Sequence, residues 1–194
     1  MANNTRSPKM TTGLVRFSFC HVLEPKQNDA GEDEYTCMLL IPKTDKKTVA
    51  QVKKLVSTLK KDYWGDKTPP KYRGPLRDGD EYVNEETGEQ DENRFGHYYM
   101  NVKSKFKPDV VNKYKEKIDD EREFYSGCYG LACINFYVYD NKTNKGISTG
   151  LSSIMKIKDG EPLGGRSSAL VDFKEVDISQ YEEDDDYSED VDED

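Results

Sequence analysis

The chain has 194 residues, long enough for one domain with a sizeable core and too short to require two. Hydrophobic residues make up 34% and charged residues 35%, and no apolar run reaches the about 18 residues that a membrane-spanning helix needs. The formal net charge of −9 argues at first against a polyanionic ligand, but the acidity is unevenly placed.

Residues 1–12 read as a flexible N-terminus without the apolar core of a secretory signal. Residues 13–23 alternate, with Val15, Phe17, Phe19 and Leu23 on one face and Arg16, Ser18 and Cys20 on the other, the pattern of a half-buried strand. Residues 35–41 are apolar without alternation, as in a strand covered on both sides, and Pro42 ends them. Thr44 or Asp45 then caps a helix on which Val49, Val52, Leu55, Val56, Leu59 and Tyr63 recur at spacings of three and four. Residues 64–95 are broken by Pro69-Pro70, Gly74-Pro75, Asp78-Gly79 and Thr87-Gly88 into a long loop of the kind that often binds ligands.

Residues 97–104 alternate again, with Tyr98, Met100 and Val102 opposite His97, Tyr99, Asn101 and Lys103. Residues 106–118 read as a basic connection with a short helix after Pro108. Residues 128–139 carry Cys128, Ala132, Ile134, Phe136 and Val138 on one face and Tyr129, Cys133, Asn135, Tyr137 and Tyr139 on the other; residues 146–158 return as the hairpin partner. The expected fold is mainly β. It is an OB-fold-like five-stranded barrel over residues 13–174, with an inserted helix and a long loop.

Residues 175–194 hold 12 Asp and Glu and no Lys or Arg, which leaves 26 acidic against 29 basic residues in 1–174. The body is slightly basic, and the tail, including Glu182, Glu183, Asp184, Asp185, Asp186, Glu189 and Asp190, is expected to be disordered.

No phosphate-binding loop, H-E-x-x-H or G-x-S-x-G motif is present, so the chain does not read as an enzyme and no cofactor or metal is expected. Cys20, Cys37, Cys128 and Cys133 sit in apolar runs, as thiols of a reducing, cytoplasmic compartment do, and with His21 and His97 they match no standard zinc spacing. Asp78, Asp80 and Glu81 would suit a metal-dependent nuclease, or simply a turn at Asp78-Gly79. Gly164-Gly165-Arg166 suits a phosphate contact or a plain glycine turn.

What remains is an aromatic and basic surface able to stack bases and follow phosphates. Candidate phosphate contacts are Arg16, Arg73, Arg77, Lys103, Lys105 and Arg166; candidate stacking residues are Trp64, Tyr72, Tyr99, Tyr129, Tyr137 and Tyr139. The tyrosines would equally suit a second core or a dimer interface. A DNA-mimicking inhibitor of a host enzyme is the other class considered, but a mimic spreads its acidity over a folded face.

The ordered motifs Gly13-Leu-Val-Arg-Phe-Ser-Phe, Val22-Leu-Glu-Pro-Lys, Leu40-Ile-Pro-Lys-Thr-Asp, Pro75-Leu-Arg-Asp-Gly-Asp, Tyr125-Ser-Gly and Asp159-Gly-Glu-Pro-Leu-Gly-Gly-Arg span residues 13–173. Together they resemble a phage and prophage family of OB-fold single-stranded DNA-binding proteins, long catalogued only as a domain of unknown function. The resemblance implies a cofactor-free binder acting in phage DNA replication, recombination or repair in the cytoplasm of an infected cell. It also implies a homodimer in some members. The acidic tail is expected to compete with DNA or to contact replication or recombination proteins; bacterial single-strand binding proteins end such tails in an apolar residue that docks partners, whereas this sequence ends Val191-Asp-Glu-Asp, which favours competition.

Overall fold

In the computed structural model, residues 5–142 and 144–163 are described. They form β1 (Met10–Thr11), β2 (Val15–Gln27), β3 (Asp33–Pro42), α1 (Lys46–Trp64), β4 (Arg77–Asp78), β5 (His97–Ser104), β6 (Asp109–Val111), β7 (Tyr129–Asp140) and β8 (Lys145–Lys158). The acidic residues 175–194 and Arg166 lie outside the described residues.

Five strands close a ring in the order β7, β2, β3, β5, β8 and back to β7. The pairings are antiparallel except for β5 with β8, which run parallel at Val102↔Thr149 and Lys103↔Gly150. The mainly β, OB-like barrel expected from the alternation is the fold observed, with the β7–β8 hairpin as its longest ladder. Inward positions of the strands, among them Val15, Phe17, Leu39, Ile41, Met100, Ile134, Phe136 and Ile154, build one apolar core.

The helix forms where the sequence places it. Asp45 caps it by accepting from the Thr48 amide at 3.0 Å, and Val49, Val52 and Leu59 bury one face in the core against the side of the barrel near β7. With Cys37, Leu39 and Ile41 inside and Met38 and Leu40 in a second, outer cluster with Tyr99, Tyr82 and Leu163, β3 is covered on both faces, as its unbroken apolar run requires.

Three local expectations are corrected. Phe19 does not share the inward face of Val15 and Phe17: the β2–β3 register shifts between Ser18 and His21, and this bulge turns Phe19 outward while Cys20 packs toward the core. Residues 106–118 contain no helix. Val110 and Val111, β-branched residues that suit a strand, lie in β6, which extends β8 in parallel at Val110↔Ile154. Asn112 then closes a tight turn by accepting from the Tyr114 and Glu116 amides at 2.8 and 3.0 Å. The N-terminal residues expected to be flexible include β1, where Met10 pairs with Ile134. Thr12 also exchanges two 3.0 Å hydrogen bonds with the Ala132 backbone, which satisfies an edge of β7 that would otherwise be bare.

Gly130 lies at a tight point of closure, where β7 is flanked by β2 and β8. A Cβ at this position would stand 2.1 Å from the Met155 carbonyl oxygen and 2.9 Å from the Phe17 ring. Gly130→Ala is therefore expected to destabilise the barrel by about 1–3 kcal/mol, the usual cost of overpacking, measured as a lower midpoint of urea unfolding at unchanged slope.

Candidate nucleic-acid interface

Directly opposed residues on neighbouring strands share a face of the sheet, so the register assembles the outer surface of the barrel row by row. One row runs Tyr129, Arg16, Leu40, Tyr99, Arg77. Ser18, Met38 and Asn101 form the next, and His21, Thr36, Lys103, Gly150 and Asn135 a third.

Over these rows lies a groove of about 490 Å³. Its floor is the outer face of β3 and β5. Phe19, His21 and Lys26 of β2 line one side, and the segment from Arg73 to Arg77, with Tyr139 and Ser148, lines the other. That segment is fixed by backbone pairing: Arg73 donates to Lys145 and accepts from Ile147 at 3.2 and 3.1 Å, and Arg77 pairs with Tyr99. Gly146 permits the approach, because a Cβ there would come within 2.4 Å of the Arg73 carbonyl oxygen and 2.6 Å of the Tyr139 hydroxyl.

The groove brings together Arg73, Arg77, Lys103, Tyr99 and Tyr139 from the sequence-predicted set. Arg73 and Arg77 are exposed, and neither has a carboxylate within ion-pair distance among the described residues. Lys103 pairs with Glu34 at 3.0 Å. Partial burial opposes its charge, but the hydrogen bond to Glu34 and the fields of Tyr137 and Tyr139 raise its pKa overall. Lys105 stands just past the end of β5, in a loose 3.7 Å pair with Glu32.

The predicted residues outside the groove, and Tyr99 within it, make contacts with other parts of the chain. Arg16 lies outside the groove lining, where its guanidinium stacks on Tyr129 at 5.4 Å and donates to the Glu161 carbonyl at 2.7 Å, tying β2 to the chain beyond β8. Lys158 covers Tyr129 as well. Tyr137 carries Arg6 over its ring at 5.6 Å. Tyr99 is only 5% exposed, enclosed by Tyr82 edge-on at 5.8 Å and by the Arg94 guanidinium at 4.6 Å, so it supports the floor and offers no free ring.

Trp64 and Tyr72 meet edge-on at 5.7 Å against the core, with Trp64 Nε1 donating to Asp140. Burial pushes the Tyr72 hydroxyl up to about 12, with a smaller effect from Tyr139. Sequence reasoning missed Phe19, His21, Lys26 and Asn101 as groove residues. The alternation that identifies Asn101 and Lys103 as outward was available, whereas the bulge that exposes Phe19 leaves no mark in the pattern.

Asp78 and Asp80, the carboxylates a nuclease reading would use, are both held by Lys43, whose Nζ lies 2.5 and 2.7 Å from them. Asp80 also accepts from the Gly96 amide and Asp78 from the Asp80 amide. The trio clamps the long loop to the end of β3, and the Lys43 ammonium already supplies the charge that a cation would bring. Cys20 and Cys37 lie 3.4 Å apart, Sγ to Sγ, and burial, with the hydrogen bond to Cys20, raises the Cys37 thiol well above its usual range. His21 pairs across from Thr36 and His97 from Pro42, six positions along β3 and about 20 Å apart, so the two histidines do not converge with this thiol pair.

The family model described as "Enterobacter phage Enc34, ssDNA-binding protein" matches residues 8–188. Protein p50 of Acyrthosiphon pisum secondary endosymbiont phage 1 is 28% identical over 188 residues, covering 90% of this chain and 97% of that protein. The single-stranded DNA-binding protein of bacteriophage Enc34, solved in complex with single-stranded DNA, is similar at a TM-score of 0.67 and 25% identity over 80% of this chain and 89% of that one. The single-stranded DNA-binding protein gp2.5 of bacteriophage T7 aligns at a TM-score of 0.58 and 16% identity over 89% of this chain and 97% of that one, a likeness of fold.

Hydrogen bonds from Lys43 hold the Asp78 and Asp80 carboxyls below the ordinary carboxylate range. Lys43→Met is expected to raise both, since the largest lowering influence is removed while the backbone hydrogen bonds from Asp80 and Gly96 remain, read by carboxyl-carbon NMR titration, and to speed proteolytic cutting within residues 64–96 at neutral pH. Because both pKa values are lowered on folding, the clamp's contribution is complete above about pH 5. It fades as pH falls through the folded pKa values, so the two proteins should converge in acid.

Proposed function

The chain belongs to the family of the Enterobacter phage Enc34 single-stranded DNA-binding protein, and from that membership we propose that it binds single-stranded DNA without regard to sequence, in the groove over β3 and β5. The observation that carries this reading is the groove itself, a channel on the outer face of an OB-like barrel. It is lined by aromatic side chains and by the guanidinium groups of Arg73 and Arg77, which have no carboxylate partner among the described residues. Guanidinium and ammonium groups bind phosphates with release of counterions, while rings accept any base, because each base has a π-face.

The role is binding, with no chemistry performed on the strand. Lys103 and Lys105 enter the phosphate path by exchanging Glu34 and Glu32 for phosphate oxygens, and Arg166, which lies outside the described residues, is a further candidate phosphate contact. The acidic residues 182–190 act as a tethered competitor: at high effective concentration they occupy the basic groove and yield to a true strand while excluding weak ligands. The same tail contacts replication or recombination proteins in the cytoplasm of the infected cell, and two chains associate as a homodimer.

Fluorescence anisotropy with a labelled thymine oligonucleotide tests the reading. The full chain should bind in preference to duplex of equal length, with affinity falling steeply as salt rises and a footprint of about 4 to 16 nucleotides per barrel. Arg73→Ala and Arg77→Ala should each lower the slope of log affinity against log salt by about 0.7. A salt-independent affinity would remove the phosphate contacts, and absence of binding would remove the function.

Ending the chain at Lys174 should tighten binding, most strongly at low salt, where the tail competes best. Unchanged affinity would remove the competing role of the tail.

A further inference from the structure

We propose that Phe19 is the principal base-stacking platform of the groove, a role that rests on the single-stranded DNA reading. Phe19 is 58% exposed in a strand whose neighbours Phe17 and Val15 are fully buried. Its φ of +49° places it in the left-handed region, which side chains other than those of glycine, asparagine and aspartate rarely adopt. Simple alternation would have continued the inward face through residue 19. The bulge instead ejects the ring and gives the core position to Cys20, the re-aiming for which bulges are used.

The strained turn is held from behind. The Cys20 amide donates to Ser126 Oγ at 3.0 Å, and the Phe17 carbonyl accepts from Gly127 at 2.8 Å. A large apolar ring kept in water at a backbone cost, inside a basic groove, suits a ligand-contacting side chain better than a structural one.

Cations lie over Tyr129, Tyr137, Tyr99 and Tyr72, so a base stacking there must first displace a charge; Trp64 packs against the core, and Tyr139, which also lines the groove, is half-buried where Phe19 is mostly exposed. Phe19 carries no such cation among the described residues, and it faces the groove that holds Arg73 and Arg77. A strand lying along the groove can therefore place a base on Phe19 while the two guanidinium groups take its phosphates.

The test compares the full chain with Phe19→Leu and Phe19→Asn, using anisotropy with a thymine oligonucleotide and thermal unfolding. Phe19→Leu keeps apolar bulk without a ring and should bind about tenfold more weakly at an unchanged salt slope, since no phosphate contact is lost. Phe19→Asn should weaken binding similarly while unfolding about 2–4 °C higher, because asparagine tolerates the left-handed conformation. Affinity and stability then move in opposite directions, which a structural residue would not produce.

Binding within twofold of the parent by both variants would overturn the platform while leaving the single-stranded DNA reading intact. Loss of stability together with affinity in both would also overturn it and mark the residue as structural. Failure of the parent to bind would instead remove the function on which the platform rests. In a Phe19→Trp variant, oligonucleotide should quench fluorescence beyond the change seen for Trp64 in the parent; absence of extra quenching would count against stacking.

Discussion

The parallel pairing of Val102 and Lys103 with Thr149 and Gly150 closes the ring, and closure imposes two faces on every strand of the barrel. Ring neighbours pair each other's backbone groups, and β1, β4 and β6 pair further stretches of β7, β5 and β8 beyond the ring contacts. The inner face must fill with side chains such as Phe17, Leu39, Met100 and Phe136, all fully buried. The outer face is freed from packing duty and becomes available for function. The same lysine lies at the closure point and at the groove: Lys103 pairs by its backbone with Gly150 and presents its side chain to Glu34.

The outer face is not bare, and its partial covering explains why a groove forms there. Met38, Leu40 and Tyr99 are apolar positions that face outward, and Tyr82 and Leu163 are drawn over them as a second small core. Arg94, itself buried and held by Asp91 at 2.9 Å, stacks on both Tyr82 and Tyr99 at 3.5 and 4.6 Å. The long loop is thus anchored at one end by this cluster and at the other by Arg73 on β8, while Lys43 clamps Asp78 and Asp80 between them. Anchored in this way, the loop forms a wall along β5, and the channel lies between that wall and the bulge in β2.

The sequence disclosed the parts of this arrangement that follow from periodicity. Alternation identifies the inward and outward residues of β5 and β7, the unbroken apolar run of β3 announces a strand covered on both sides, and the three-and-four spacing after Asp45 specifies the helix. It did not disclose features that depend on a single irregular residue or on distant pairing. The bulge at Phe19 reverses the face of one ring without altering the apolar pattern. The β6–β8 pairing joins residues more than 40 positions apart, and its three residues follow a proline that fits a helix start equally well. Among the site residues, type and outward position could be read, but not occupancy. Tyr129, Tyr137 and Tyr99 have the chemistry of stacking platforms, yet Arg16, Arg6 and Arg94 already cover them, and tertiary placement alone decides that.

Net charge is a poor guide to the ligand because the relevant field is local. At physiological salt, charges separated by more than about 8 Å of solvent are largely screened, so the overall −9 says less than the pairing state of the cations in the groove. There the cations divide into two kinds. Lys103 has a carboxylate partner at 3.0 Å, and exchanging that partner for a phosphate releases one ion pair to form another, a step with small net gain. Arg73 and Arg77 have no such partner among the described residues, so each phosphate they take is gained outright, with its counterions released to solvent. On the proposed reading the two arginines would then contribute more to affinity than Lys103, whose charge is already shared with Glu34.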